Sequence, residues 1–274
     1  MYIWRVNAGD SVRLDDFDPG YTGEQIDKQS AHEELKKLRK ELSTLQEMLW
    51  AAHHQSVLLV LQGTDTSGKD GTIRHVLAHL NPQGCRVHSF TQPTQQELDH
   101  DFLWRVHQAT PGKGSLDVFN RSHYEDVLVI RVNKLVPEKV WQNRYEAINN
   151  FEKLLTDNNT IILKFFLHIS YEEQKQRLLA RENDHEKAWK LSASDWKGRH
   201  SWPDYQQAYE DMLMRCSKPQ APWYIVPANH KWFRNLAIAH TLLETLRPYK
   251  QIWEQELRTR GQQELECLKK TPHV

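Results

Sequence analysis

Residues 57–72 read Val57-Leu-Leu-Val-Leu-Gln-Gly-Thr-Asp-Thr-Ser-Gly-Lys-Asp-Gly-Thr72, and the rest of the chain is arranged around them. The apolar run 57–61 is too short for a helix and rich in branched residues, which predicts a strand buried on both faces. It leads into Gly63, Gly68 and Lys69 at the spacing G-x-x-x-x-G-K, and Ile73, Val76, Leu77 and Leu80 follow at helical spacing. Glycines in such a loop let the backbone approach a phosphate closely. The loop N–H groups, the helix N-terminus behind them and the Lys69 ammonium all favour an anion there. Gly63, Thr66, Ser67, Gly68, Lys69, Gly71 and Thr72 are therefore expected to form a phosphate cradle.

Two positions depart from the common nucleotide-binding loop: Lys69 is followed by Asp70 instead of Ser or Thr, and Asp65 sits inside the loop. A carboxylate repels a polyanion. Asp65 is therefore expected either to hold Mg²⁺, with Mn²⁺ as a substitute, or to orient or deprotonate an attacking phosphate. For Asp70, a place in the phosphate site and a simple helix-dipole role in the first turn are both open.

A chain of 274 residues holds one large α/β domain or two small ones, and 36 basic against 36 acidic residues leave no net charge. That balance argues against a general nucleic-acid binder. Cys85, Cys216 and Cys267 are too few and too widely spaced for a disulfide framework or a zinc knuckle, so a reducing cytoplasm is expected. The His53-His54 pair reads as solvated. No stretch approaches the ~20 apolar residues of a membrane span, and the N-terminus lacks the apolar core of a secretion signal.

Along the chain, residues 1–30 read as an irregular arm. In 32–50, Leu35, Leu38, Leu42, Leu45 and Leu49 form a narrow helical stripe that suits either the protein's own core or a seam between subunits. Further strands are expected at 85–90, 116–119, 160–168 and 223–226. Helices are expected at 94–108, 141–156, 170–181, 203–216 and 236–246, with a loosely attached helical tail from 249. Without an evident linker or repeat, this predicts one doubly wound parallel sheet of five strands.

The strand at 116–119 ends in Asn120-Arg-Ser-His-Tyr-Glu-Asp126, at the edge where open α/β sheets bind ligands. A carboxylate usually faces the metal from such a strand end; here Asn120 stands first, with Glu125 and Asp126 close behind. The planar fork of Arg121 suits two phosphate oxygens, or else a surface ion pair. Asn133-Lys-Leu-Val136 lacks the aspartate that a guanine-reading motif requires. Residues 182–202 alternate basic residues with tryptophans and read as a lid over a charged substrate.

Taken together, Gly63-Thr-Asp-Thr-Ser-Gly-Lys-Asp-Gly71, Asn81-Pro-Gln-Gly-Cys-Arg-Val87, Phe119-Asn-Arg-Ser-His-Tyr-Glu-Asp-Val127 and Ala221-Pro-Trp-Tyr-Ile-Val-Pro-Ala228 resemble the polyphosphate kinase 2 family. Within it they look most like the class III branch, which phosphorylates both AMP and ADP. The resemblance spans about 15–246 and implies a thymidylate-kinase-like P-loop fold over a single domain, 1–274. It implies Mg²⁺-dependent, reversible transfer from inorganic polyphosphate to AMP and ADP, giving ADP and ATP. Asp65, Lys69, Arg121 and Glu125 then correspond to catalytic positions, with Asp65 at the metal. Asn120 and Glu125 carry the branch assignment. Arg177, Arg181, Lys187, Lys190 and Arg199 fall where basic lid residues hold phosphates. A homo-oligomer, dimer or tetramer, is expected, with no nucleic acid or membrane partner. Two other readings stay open: an ATP-dependent nucleoside monophosphate kinase, and a nucleotide-binding module without turnover. Direct in-line transfer is the expected route, against a phosphohistidine at His123 or His168.

Overall fold

The computed structural model describes residues 2–23, 26–183 and 193–270, and among them one sheet is built from β1 (Trp4–Val6), β2 (Ser56–Gln62), β3 (Cys85–Ser89), β4 (Leu116–Asn120), β5 (Thr160–His168) and β6 (Trp223–Pro227). Its order is β1-β6-β5-β2-β4-β3. The five strands expected from the sequence are all present and mutually parallel. The sixth is a correction. Residues read as irregular arm pair antiparallel with the far edge, Trp4 opposite Ile225 and Val6 opposite Trp223. Three residues are too few to display an alternating pattern.

Every residue of β2 is buried, because β4 and β5 flank it and helices cover both faces. After β2 the chain runs to the edge strand β3, returns to β4 beside β2 and then crosses to β5 on the other side of β2, so the loop after β2 opens at the switch point of the sheet.

The helices are α1 (Lys28–Ala52), α2 (Lys69–Val76), α3 (Gln95–Leu98), α4 (Trp104–Gln108), α5 (Val129–Val132), α6 (Glu138–Asp157), α7 (Tyr171–Glu182), α8 (Ala193–His200), α9 (Trp202–Cys216), α10 (Lys231–Leu246) and α11 (Lys250–Lys270). α1 begins at an Asp27 cap whose carboxylate accepts from the N–H groups of Gln29 and Ser30. Its leucine stripe packs into the chain's own core beside α10, with Leu42 and Leu49 fully buried. Each such leucine contributes roughly 1.5–3 kcal/mol of burial. The stripe is thus taken up within the subunit.

The opposite face of the sheet is covered by α6 and α9 around Phe119, Phe166 and Trp223. The helix expected at 94–108 is two short ones, since Asp101 accepts from the Leu103 N–H and restarts the helix. The tail is held more firmly than expected at its start. Trp253 is fully buried, and its indole N–H donates to Gln55 Oε1 (2.7 Å). From 258 to 270 the helix is exposed.

Candidate active site

The loop between β2 and α2 closes on itself through Lys69, whose ammonium donates to the carbonyls of Gly63 (2.7 Å) and Thr64 (3.3 Å). Gly63 and Gly68 have φ of 151° and 104°. A Cβ at Gly68 would stand 1.8 Å from Arg234 Nη1, so this position needs glycine both for its backbone and for its neighbour. Thr66 also adopts a positive φ, 68°, which a β-branched residue holds only under constraint.

Buried oxygens of Thr64, Thr66, Ser67 and Thr72 have no hydrogen-bond partner among the described residues. Buried hydroxyls are normally satisfied. Four unsatisfied ones around a single loop suit a site made to receive a ligand rich in oxygen.

The second motif meets this loop across the sheet edge. Arg121 (φ 62°) donates through Nη2 to Asp65 Oδ1 at 2.8 Å, both side chains about two-fifths exposed. Asn120 Nδ2 donates to Asp70 Oδ1 (2.9 Å) and ties strand end to helix start. Glu125 is largely buried; desolvation raises its pKa although Arg121 and Lys69 pull the other way. Burial likewise lowers Lys69, helped by Arg121 and opposed by Asp65, Glu125 and Asp70. The expected set Asp65, Lys69, Arg121 and Glu125 is therefore one electrostatic cluster.

Asp65, about two-fifths exposed within the loop, is a carboxylate that could hold a metal. No group of three or more His, Cys, Asp or Glu side chains suited to a metal occurs among the described residues. An ion here would need water and substrate to complete its shell, as Mg²⁺ usually does with one or two carboxylates.

Several basic residues lie elsewhere than expected. All three guanidinium nitrogens of Arg177 are engaged: Nη1 with the carbonyls of Thr66 (2.9 Å) and Ser67 (3.0 Å), Nη2 with those of Ala228 (2.6 Å) and Asn229 (2.9 Å), Nε with Glu173 (2.7 Å). It faces the back of the loop instead of the phosphate side. Arg199 is buried too, donating to Tyr171 O and Gln174 Oε1 and stacking 3.7 Å over the Tyr171 ring. Arg181 is partly exposed on α7. Lys187 and Lys190, within the stretch 184–192 of the lid expected at 182–202, lie outside the described residues. His123 is fully buried with Nε2 against Glu152, and His168 is buried with Nε2 at the Phe17 carbonyl. Neither imidazole is presented to solvent.

The sequence reading missed Gln62, Arg234, Tyr205 and Tyr209. The Gln62 amide, oriented so that both ends are satisfied, donates to Glu125 Oε1 (3.2 Å) and accepts from Ser122 N and Oγ. Arg234 supports the loop from beneath, donating to Ser67 O (3.2 Å). Its signal was available: it is a lone charge among Phe233, Leu236, Ala237 and Ile238. Tyr205 and Tyr209 descend from α9 close enough to sense Glu125 and Asp65. Burial first, then those carboxylates, push Tyr205 up to about 12 and Tyr209 well above its usual value. Both remain phenols able to donate to an anion.

A family model described as polyphosphate kinase 2 matches residues 25–253. The chain is 52% identical over 247 residues to an AMP/ADP-polyphosphate phosphotransferase of Meiothermus ruber, covering 90% of this chain and 92% of that one. It is 43% identical over 263 residues to an ADP-polyphosphate phosphotransferase of Rhodopseudomonas palustris, covering 90% of each. Among solved structures, a polyphosphate kinase 2 from Arthrobacter aurescens superposes with a TM-score of 0.86 at 40% identity, covering 89% of this chain and 88% of that one.

Proposed function

The chain belongs to the polyphosphate kinase 2 family, and we propose that it moves the terminal phosphate of inorganic polyphosphate to AMP and to ADP, reversibly and by direct in-line transfer. A terminal phosphate oxygen of the nucleotide attacks the end phosphorus of the polymer. One P–O bond forms, the bridging P–O bond breaks, and the polymer leaves one unit shorter. The observation that carries this reading is the convergence of Lys69, Arg121, Asp65 and Glu125 on a loop with four unsatisfied hydroxyls.

Two polyanions must touch for this chemistry. A pair of phosphate charges ~4 Å apart repels by roughly 4 kcal/mol at an effective dielectric near 20, so neutralisation is the chief demand on the protein. Lys69 and Arg121 meet it directly, and Arg181, Lys187 and Lys190 would join from the lid. Tyr205 and Tyr209, which stay phenols, would donate without adding negative charge. Asp65 would hold Mg²⁺, or Mn²⁺, which when bound supplies further neutralisation. Cys85, Cys216 and Cys267 form no disulfide among the described residues, which supports a cytoplasmic setting. No helix among the described residues is long and apolar enough to cross a membrane.

Incubating the protein with AMP, polyphosphate and Mg²⁺ but no ATP tests the reading. ADP and then ATP are expected. Turnover seen only with ATP as donor makes it a nucleoside monophosphate kinase, and none with any donor makes it a binding module. Light scattering of the same sample tests the expected dimer or tetramer.

A further inference from the structure

The turn that presents Arg121 and Glu125 is held from behind by charges that no substrate reaches. Lys164 is fully buried in the middle of β5, and Glu152 lies buried on α6. The Lys164 ammonium donates to Glu152 Oε2 (2.5 Å), the Tyr124 hydroxyl (2.9 Å) and the Cys216 carbonyl (2.7 Å), which uses all three of its protons. Glu152 Oε1 accepts from the Tyr124 hydroxyl (2.7 Å) and faces His123 Nε2 at 3.2 Å. Burial lowers the His123 pKa, leaving a neutral ring. With the ring neutral, its Nε2 proton is the one that can meet the carboxylate. Burial also holds Tyr124 far above its usual value, so it stays a phenol.

Both tyrosine and histidine belong to the same short turn as the outward groups. Ser122, His123 and Tyr124 are fully buried, while Arg121 on one side and Glu125 on the other face Asp65 and Lys69. The inward residues are locked to α6, β5 and the end of α9. The outward residues have little choice of direction, and Arg121 is kept at φ 62°.

A buried ion pair is a poor source of stability: replacing one with apolar residues of similar volume is often neutral or stabilising. What the pair provides, and an apolar plug cannot, is a defined position for two hydrogen-bonding side chains. We propose that Glu152, Lys164, Tyr124 and His123 form a positioning network that sets Arg121 and Glu125 for phosphoryl transfer. This rests on the function proposed above.

The double variant Glu152→Met/Lys164→Met tests it, with Tyr124→Phe as the milder partner. Both are expected to melt within a few degrees of wild type or above it. Their kcat should fall on the order of tenfold, the scale at which supporting shells act, while KM for the nucleotide stays put. A purely structural network gives the reverse: a well-folded double variant with wild-type kcat, or activity lost only in step with melting. If the double variant does not fold, Tyr124→Phe decides alone: wild-type kcat there overturns the proposal. If the wild-type protein makes no ADP or ATP from polyphosphate, the function reading fails instead. The variants' affinity for tripolyphosphate by calorimetry then replaces kcat, with tenfold weakening expected and unchanged affinity overturning the network.

Discussion

Arg121 and Arg177 stand at the same edge of the sheet and use the same side chain in opposite ways. Arg121 is about two-fifths exposed and holds one carboxylate oxygen of Asp65, a partner it can exchange for phosphate. Arg177 is buried and bonded to four main-chain carbonyls of two loops, which no ligand displaces. The first brings charge to a substrate. The second shapes the backbone that receives it. A count of basic residues near a phosphate loop therefore overstates the charge available to the ligand, since Arg177, Arg199 and Arg234 are all committed to the protein itself.

If this division holds, substitutions of the cations that meet substrate should reduce turnover with little loss of stability, and substitutions of the ties to the backbone behind the loop should do the opposite. Lys69→Ala should show the largest effect, a loss of turnover on the order of a thousandfold, the scale of removing one preorganised charge. Its melting temperature should change little, because removing a desolvated ammonium offsets the Gly63 and Thr64 carbonyls left unpaired. Arg177→Met should destabilise by about 3 kcal/mol, leaving Thr66, Ser67, Ala228 and Asn229 carbonyls unpaired. Denaturant titration measures it, and activity in the cold should survive in proportion to folded protein. Equal stability of this variant and wild type would erase the distinction.

Arg121→Lys keeps the charge but loses the fork, and turnover should drop roughly ten- to a hundredfold at unchanged stability. The smallest effect is expected at Asp126, which accepts twice from Arg144 Nη1, once at its carboxylate Oδ1 (2.8 Å) and once at its main-chain carbonyl (3.2 Å). Burial, opposed by Arg144 and Arg105, raises Asp126 from 3.8 to about 6. Between those values the unfolded chain has released a proton that the folded chain still binds. Stability from this group is thus full below the lower value and is lost as pH rises through about 6. Asp126→Asn should flatten that slope by a few degrees in melts between pH 4 and 7.

The parts of this division that could be read from the sequence are those with a local signature. The loop at 63–69 is a spacing, and β5 (Thr160–His168) is an apolar run whose ends match the expectation. The direction of Arg177 is not local. Its four-residue step from Arg181 shows that the two share a side of α7, but which side meets the loop depends on how α7 crosses it. Lys164 was legible and passed over: a charge inside a strand buried on both faces requires a partner, and Glu152 is one of few candidates. Gln62 gave no comparable signal, being an ordinary polar residue at a strand end until Glu125 and Ser122 are seen beside it.

The pairing of β1 with β6 has a consequence for how the protein is made. Trp4 emerges from the ribosome more than two hundred positions before its neighbour Ile225. The first strand must wait, unpartnered, while the parallel strands assemble behind it. Sealing of this border is therefore among the last events of biogenesis, and nascent chains halted before residue 223 should expose β5 as a sticky margin that chaperones recognise.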